Sequence, residues 1–170
     1  TNIQLNQENV TFDIDSVPFT VCIPGKFSVF NALCAISVSL TLGIEFEHIE
    51  SALKNVIVIG RIEPVEHDGL KAPVIIDYAH NAMALESLLS TLRDYNPGRL
   101  VCLFGCGGDR DRTKRPEMGK IAQKMADRII VTADNSRTEK TTDIMADIKE
   151  GMDISGKAKS LFIEDREQAI

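Results

Sequence analysis

A regular beat in the second half of the chain constrains its fold more than any other feature. Strand-like runs at Val74 to Asp77, Leu100 to Phe104, Arg128 to Thr132 and Ser160 to Ile163 recur at intervals of roughly 25 to 30 residues, the length of a βαβ unit. Between them lie stripes at helical spacing: Ala82, Leu85, Leu88, Leu89 and Leu92; then Ile121, Ala122 and Met125; then Ile144, Met145, Ile148 and Met152. Apolar residues so spaced line one helix face, so these stripes are core and not cofactor boxes. Strands alternating with helices imply an α/β fold, a Rossmann-like, mainly parallel sheet with helices on both faces. Ligands of such sheets bind beyond the carboxyl ends of the strands. Those ends carry three polar clusters, Asp77-Tyr78-Ala79-His80, Gly105 to Asp111 and Asp134-Asn135-Ser136-Arg137, which the fold is expected to bring to one rim.

The middle cluster is the richest. The run LVCLFGCGGDRDRTKRPE, Leu100 to Glu117, passes from strand to glycines and then to Asp109, Arg110, Asp111, Arg112, Lys114 and Arg115. Glycines let backbone N–H groups approach an anion, and arginines offer planar donors to carboxylate or phosphate. The same segment also reads as a solvated turn after a core strand. Three successive strands ending in comparable clusters favour the binding loop.

The first part of the chain is organised differently. Val10, Phe12 and Ile14, then Phe19, Val21 and Ile23, alternate with polar residues and predict short antiparallel strands. From Phe27 to Leu42 the chain is apolar on nearly every face, which predicts a buried helix capped by Gly43, with Asn31 its conspicuous polar residue. Glu47 to Lys54 forms an amphipathic helix through Ile49, Ala52 and Leu53, and a domain boundary is placed at Gly60-Arg61. Gly25-Lys26-Phe27-Ser28 imitates the end of a phosphate-binding P-loop, but Thr20 stands where the first glycine belongs and Phe27 follows the lysine.

At 170 residues, 44% hydrophobic and 26% charged, the chain has room for one large domain, or one domain and a piece of another. A net charge of −6 argues against nucleic-acid binding, so local basic clusters point to small anions. No apolar run reaches membrane-spanning length and no secretory leader opens the chain, so no membrane partner and a cytoplasmic location are expected. The chain starts without Met and reads as a fragment. Cys22, Cys34, Cys102 and Cys106 form no C-x-x-C pair and read as reduced packing residues, with a reactive thiol left open at Cys106. His48 and His67 have no nearby set of metal ligands in the sequence.

GRIEPV (Gly60 to Val65), DYAHNA (Asp77 to Ala82), FGCGGDRDRTKRPEMG (Phe104 to Gly119) and DNSRTE (Asp134 to Glu139) together resemble the successive signatures of the Mur ligases. Within them the resemblance is to the branch that adds a diamino acid in peptidoglycan synthesis. It implies that residues 1–59 are the tail of the central ATP-binding domain and residues 60–170 most of the carboxy-terminal domain. The uridine-nucleotide domain, the P-loop and a carbamylated lysine would then precede Thr1, and a G-K-G-H-E segment would follow Ile170.

The resemblance further implies ATP and Mg2+ as cofactors, a monomeric full-length enzyme, and as substrates UDP-N-acetylmuramoyl-dipeptide and a diamino acid, meso-diaminopimelate in preference to L-lysine. ATP would be met by Asn31, Arg61, Asp77 and His80. Each has a plainer reading: a satisfied core Asn, an exposed hinge Arg, a helix N-cap and a packed histidine. Ser28 departs from a second Asn usual in the family. The diamino acid would be met by Arg110, Asp134, Asn135 and Arg137, with no catalytic or metal-binding residue assigned. A distal carboxylate wants a guanidinium fork and a distal ammonium wants oxygens. Taken as buried, Arg137 would enforce a preference of roughly 10⁴-fold. Ser136, where proline is usual, would leave Arg137 less firmly aimed. Other readings are a lysine-adding or folylpolyglutamate-synthetase-type ligase, or a non-catalytic nucleotide-binding module.

Overall fold

The computed structural model describes residues 1–6, 8–69 and 72–170. The chain divides into two compact units, Thr1–Tyr78 and Ala79–Ile170.

In the first unit, β1 (Gln4–Leu5), β2 (Val10–Ile14) and β3 (Val17–Val21) form an antiparallel sheet in the order β1-β2-β3. Asp15 and Ser16, both at positive φ, make the two-residue turn between β2 and β3, whose twist suits a hairpin. The inward residues Val10, Phe12, Phe19 and Val21 meet α1 (Lys26–Thr41) and α2 (Phe46–Asn55), and the Phe12 and Phe19 rings stack at 5.8 Å. Gly43, at φ +76, ends α1 in the left-handed conformation that glycine adopts without strain.

The prediction of a buried α1 does not hold. Of its apolar residues only the stripe Val29, Ala32 and Ile36 is buried, while Phe30, Val38 and Leu42 are 59%, 60% and 73% exposed. One three-stranded sheet and one short helix cover a single stripe, and an all-round apolar helix then shows its other faces. Asn31 and Cys34 lie on those exposed faces, so neither is a core residue, and Cys22 is exposed as well. Ser28, in contrast, is buried, its hydroxyl donating to Pro24 O at 3.2 Å.

β4 (Glu63–Val65) and β5 (Val74–Ile76) pair antiparallel. The sequence placed the Val74 strand in the parallel sheet. Among the described residues its partner is instead β4, a neighbour in sequence whose pairing closes a short loop at low entropic cost.

The second unit runs α3 (Ala82–Asp94), β6 (Val101–Phe104), α4 (Lys114–Met125), β7 (Arg128–Thr132), α5 (Thr141–Glu150), α6 (Ile154–Ala158), β8 (Ser160–Ile163) and α7 (Arg166–Ala169). Its sheet is parallel, in the order β6-β7-β8, with Cys102 opposite Ile129 and Ile130 opposite Leu161. Cys102, Phe104, Ile129 and Val131 point into a core filled by Leu85 and Leu89 of α3, Met118 and Ala122 of α4, and Ile144, Met145 and Ile148 of α5. This is the α/β, parallel architecture that the strand–helix alternation implied. Asn81 caps α3, its side chain accepting from Ala84 N at 2.8 Å. At the amino end of the sheet, Asp127 accepts from Leu100 N at 2.7 Å and pairs with Arg93 at 2.9 Å. Among the described residues, no helix is long and apolar enough to cross a membrane.

Candidate functional site

The loops that follow β6 and β7 interlock at the carboxyl edge of the parallel sheet. Gly108 N donates to Asn135 O at 2.9 Å, and Arg137 Nη1 donates back to Gly108 O at 2.6 Å. One residue on, the Asp109 carboxylate accepts from Thr138 Oγ1 at 2.7 Å and Thr138 N at 3.2 Å, and Asp109 N donates to Glu139 Oε1 at 2.6 Å. A Cβ on Gly105 would collide with Thr132 O, and one on Gly108 with Ser136 O. These glycines therefore permit one loop to press against the other. The sequence reading gave their bare backbone to an anion, but the Gly108 N–H is taken by Asn135.

Three of the expected diamino-acid residues converge on Gly107. A Cβ there would lie 2.9 Å from Arg137 Nη1, 3.7 Å from Asn135 O and 4.0 Å from Arg110 Cγ. Asp134 lies at the same edge, its N 3.0 Å from the corresponding point on Gly105. All four side chains are exposed. Arg137 is thus not the buried arginine that the sequence suggested, because the loop holds its guanidinium at the surface. Its backbone sits at φ +49, uncommon for a long side chain, with Arg137 N donating to Asn135 Oδ1 at 3.3 Å. Ser136, where a proline was missed, bonds through its hydroxyl to Thr141 Oγ1 at 2.7 Å and ties the turn to the head of α5.

Beneath these loops lies a charge network that the sequence reading did not anticipate. Arg115 is completely buried, with Nη1 2.9 Å from Glu139 Oε2 and 2.7 Å from Asp147 Oδ2, and Nη2 2.7 Å from Glu139 Oε1 and 3.3 Å from Gly107 O. Arg112 engages both oxygens of Asp147. Arg112 and Arg115 are therefore internal ties and not free donors of a binding loop, and Asp111 accepts from Thr113 N and Oγ1 at the start of α4. The hydrogen bond from Arg115, seconded by the one from Asp109 N, pulls the Glu139 carboxyl down to about 2. Burial opposes ionisation of Asp147, but Arg115 and Arg112 together hold it below the usual carboxylate range. A signal for Arg115 was present: it precedes Met118 by three residues and Ala122 by seven, so the buried stripe of α4 extends upward onto it.

Cys106 is buried against Met118, Sγ to Sδ 3.7 Å, and burial pushes its thiol up to about 11 despite Lys114 and Arg115. That disposes of a reactive thiol, since nucleophilic attack needs the thiolate.

The expected nucleotide residues are distributed over both units. In the first, Asp77 Oδ2 accepts from Ile62 N at 3.0 Å, and the Arg61 guanidinium lies 5.2 Å from the Tyr78 ring centre. Asp77 is thus tied to the turn holding Arg61 and is not the helix cap, a role taken by Asn81. Asn31 lies on a separate element, α1. In the second unit, His80 is exposed, which excludes the packed reading, and its carbonyl accepts from Lys114 Nζ at 3.0 Å. Among the described residues, no three His, Cys, Asp or Glu side chains group to hold a metal ion.

Comparison with known proteins agrees with this layout. Residues 60–170 match the family described as Mur ligase, glutamate ligase domain. A UDP-N-acetylmuramoyl-L-alanyl-D-glutamate--2,6-diaminopimelate ligase from Caldanaerobacter subterraneus subsp. tengcongensis is 47% identical over 148 residues, which is 87% of this chain and 30% of the relative. Its namesake from Syntrophomonas wolfei subsp. wolfei is 47% identical over 157 residues, 92% of this chain and 32% of the relative. A solved structure of a ligase of that name superposes with a TM-score of 0.60 at 33% identity, covering 99% of this chain and 35% of the other. The chain thus spans about a third of the length of the relatives it matches. By the extent of the matched domain, and by the motifs found at its strand ends, this chain belongs to the Mur ligases.

Proposed function

We propose that this chain is the acceptor-binding part of an ATP-dependent ligase that joins meso-diaminopimelate to UDP-N-acetylmuramoyl-L-alanyl-D-glutamate. The observation that carries the reading is the gathering of Arg110, Asn135 and Arg137 around Gly107, in a chain whose relatives carry that activity in their names. Residues 1–59 are assigned to the end of the central domain and residues 60–170 to the carboxy-terminal domain.

ATP, when bound, supplies the phosphoryl group that activates the glutamate carboxylate as an acyl phosphate. The chain's own residues bind and orient the substrates. Arg61 offers a cation to phosphate oxygens, Asp77 accepts from ribose hydroxyls, His80 is assigned to the same nucleotide, and Asn31 offers an amide to the adenine edge. Arg137 and Arg110 hold the distal carboxylate of the diamino acid, and Asp134 and Asn135 its distal ammonium, so that the other amino group is presented to the acyl phosphate. Magnesium in such reactions is held by one or two carboxylates together with the substrate phosphates, and no residue of this chain is assigned to it.

With Arg137 exposed, loss of its charge-assisted pair on going from diaminopimelate to lysine is worth roughly 10- to 100-fold, below the figure for a buried arginine. The test is ADP release by the full-length protein on the muramoyl dipeptide. Release that depends on diaminopimelate supports the reading. Release driven equally by lysine, or by no amino acid, contradicts it.

A further inference from the structure

Arg115, wholly buried, touches both loops of the candidate site from beneath. It belongs to the first turn of α4, holds Asp147 of α5, touches Gly107 O in the loop after β6 and grips both oxygens of Glu139 in the loop after β7. Glu139 Oε1 also accepts from Asp109 N, and Asp109 in turn holds Thr138, the residue next to Arg137. Fork, carboxylate, Asp109 and Thr138 thus form one continuous chain of hydrogen bonds ending at the guanidinium-bearing turn. Gly107, its other attachment, is the residue on which Arg110, Asn135 and Arg137 converge.

General stability is a poor explanation for such a residue. A buried ion pair gains little over a well-packed apolar side chain of similar volume, because desolvation offsets its Coulomb attraction. Moreover, α4 and α5 are already held in close contact where Gly119 abuts Ile148 O and Gly151 abuts Pro116 O. What an apolar side chain could not supply is a fixed direction for the Glu139 carboxylate.

We propose that Arg115 is a positioning residue for the diamino acid, acting through Glu139 to hold the Asn135–Arg137 turn at the spacing the substrate's distal zwitterion requires. The inference rests on the function proposed above. A shift of about 1 Å in such a turn is enough to cost about 100-fold in a reaction that depends on alignment. Arg115 contacts neither ATP nor the muramoyl dipeptide in this role, so its effect is confined to one substrate.

The experiment uses the full-length protein and measures KM separately for diaminopimelate, ATP and the muramoyl dipeptide, with the thermal midpoint alongside. Glu139→Gln keeps the shape of the side chain and is the main variant; Arg115→Lys, which keeps the charge and loses the fork, is the second. Asp127→Asn, at the opposite end of the sheet, serves as the stability control. Glu139→Gln is expected to raise KM for diaminopimelate about 10- to 100-fold and leave the other two within about twofold, with Arg115→Lys intermediate. Asp127→Asn is expected to lower the midpoint without moving any KM. An unchanged diaminopimelate KM in Glu139→Gln, or all three KM values rising together, overturns the inference alone. A wild type showing no diaminopimelate-dependent turnover overturns the function on which it rests, and the inference with it.

Discussion

Arg115 and Glu139 meet fork to fork, Nη1 2.9 Å from Oε2 and Nη2 2.7 Å from Oε1, joining the first turn of α4 to the loop that carries Arg137. This pair makes the site sensitive to acid. The Glu139 carboxyl is depressed from 4.5 to about 2 in the folded protein. Its contribution to stability is therefore fully present above pH 4.5 and is lost as pH falls through about 2. Urea midpoints measured across that window are expected to drop more steeply for the wild type than for Glu139→Gln. Parallel curves would contradict the assignment.

The two arginines of the network differ in burial, and their variants should differ accordingly. Arg115 is wholly buried whereas Arg112 is 63% exposed. Arg115→Met strips Glu139 and Asp147 of their shared partner and is expected to destabilise more than Arg112→Met, which loses an exposed pair worth less than about 1 kcal/mol. Chemical denaturation of the two variants checks the order, and equal losses would refute it.

The glycines of the loop after β6 make a steric prediction. Gly108→Ala drives a methyl group into Ser136 O and is expected to destabilise by about 1 to 3 kcal/mol. Gly98→Ala, with nothing within 4 Å of the added carbon, is expected to stay within about 0.5 kcal/mol of the wild type. Denaturation curves again decide.

Much of this fold can be read in the sequence because its signals are local. Arg128 to Thr132 and Ser160 to Ile163 are strands at the residues that β-branched and apolar runs indicate, and the stripe Leu85, Leu89 marks the inner face of α3. Long-range choices were less legible. Nothing within Val74 to Asp77 distinguishes an antiparallel neighbour from a parallel one, and the burial of α1 depends on what covers it. The site divides along the same line. Arg110, Asn135 and Arg137 lie in motifs at strand ends, where topology alone brings them together. Arg115 looks in the sequence like one more charge in a basic loop, and its burial emerges only when the helical stripe below it is extended by a turn.

The four thiols offer a direct check on burial. Cys22 and Cys34 are exposed, while burial raises the Cys102 and Cys106 thiols to about 12 and about 11. At pH 8 a thiol-specific reagent is expected to modify Cys22 and Cys34 quickly, and Cys102 and Cys106 only on unfolding. Mass spectrometry of the labelled peptides gives the answer, and fast labelling of Cys106 would contradict the packed loop.

The central claim is that Arg137 reads the distal carboxylate of the diamino acid. Its most direct measurement is the ratio of kcat/KM for meso-diaminopimelate to that for L-lysine, in the full-length protein and in Arg137→Ala. The account predicts a wild-type ratio of roughly 10 to 100 that falls toward unity in the variant, through loss of diaminopimelate activity and not gain of lysine activity. A wild-type ratio near one, or a ratio left intact by Arg137→Ala, would contradict it.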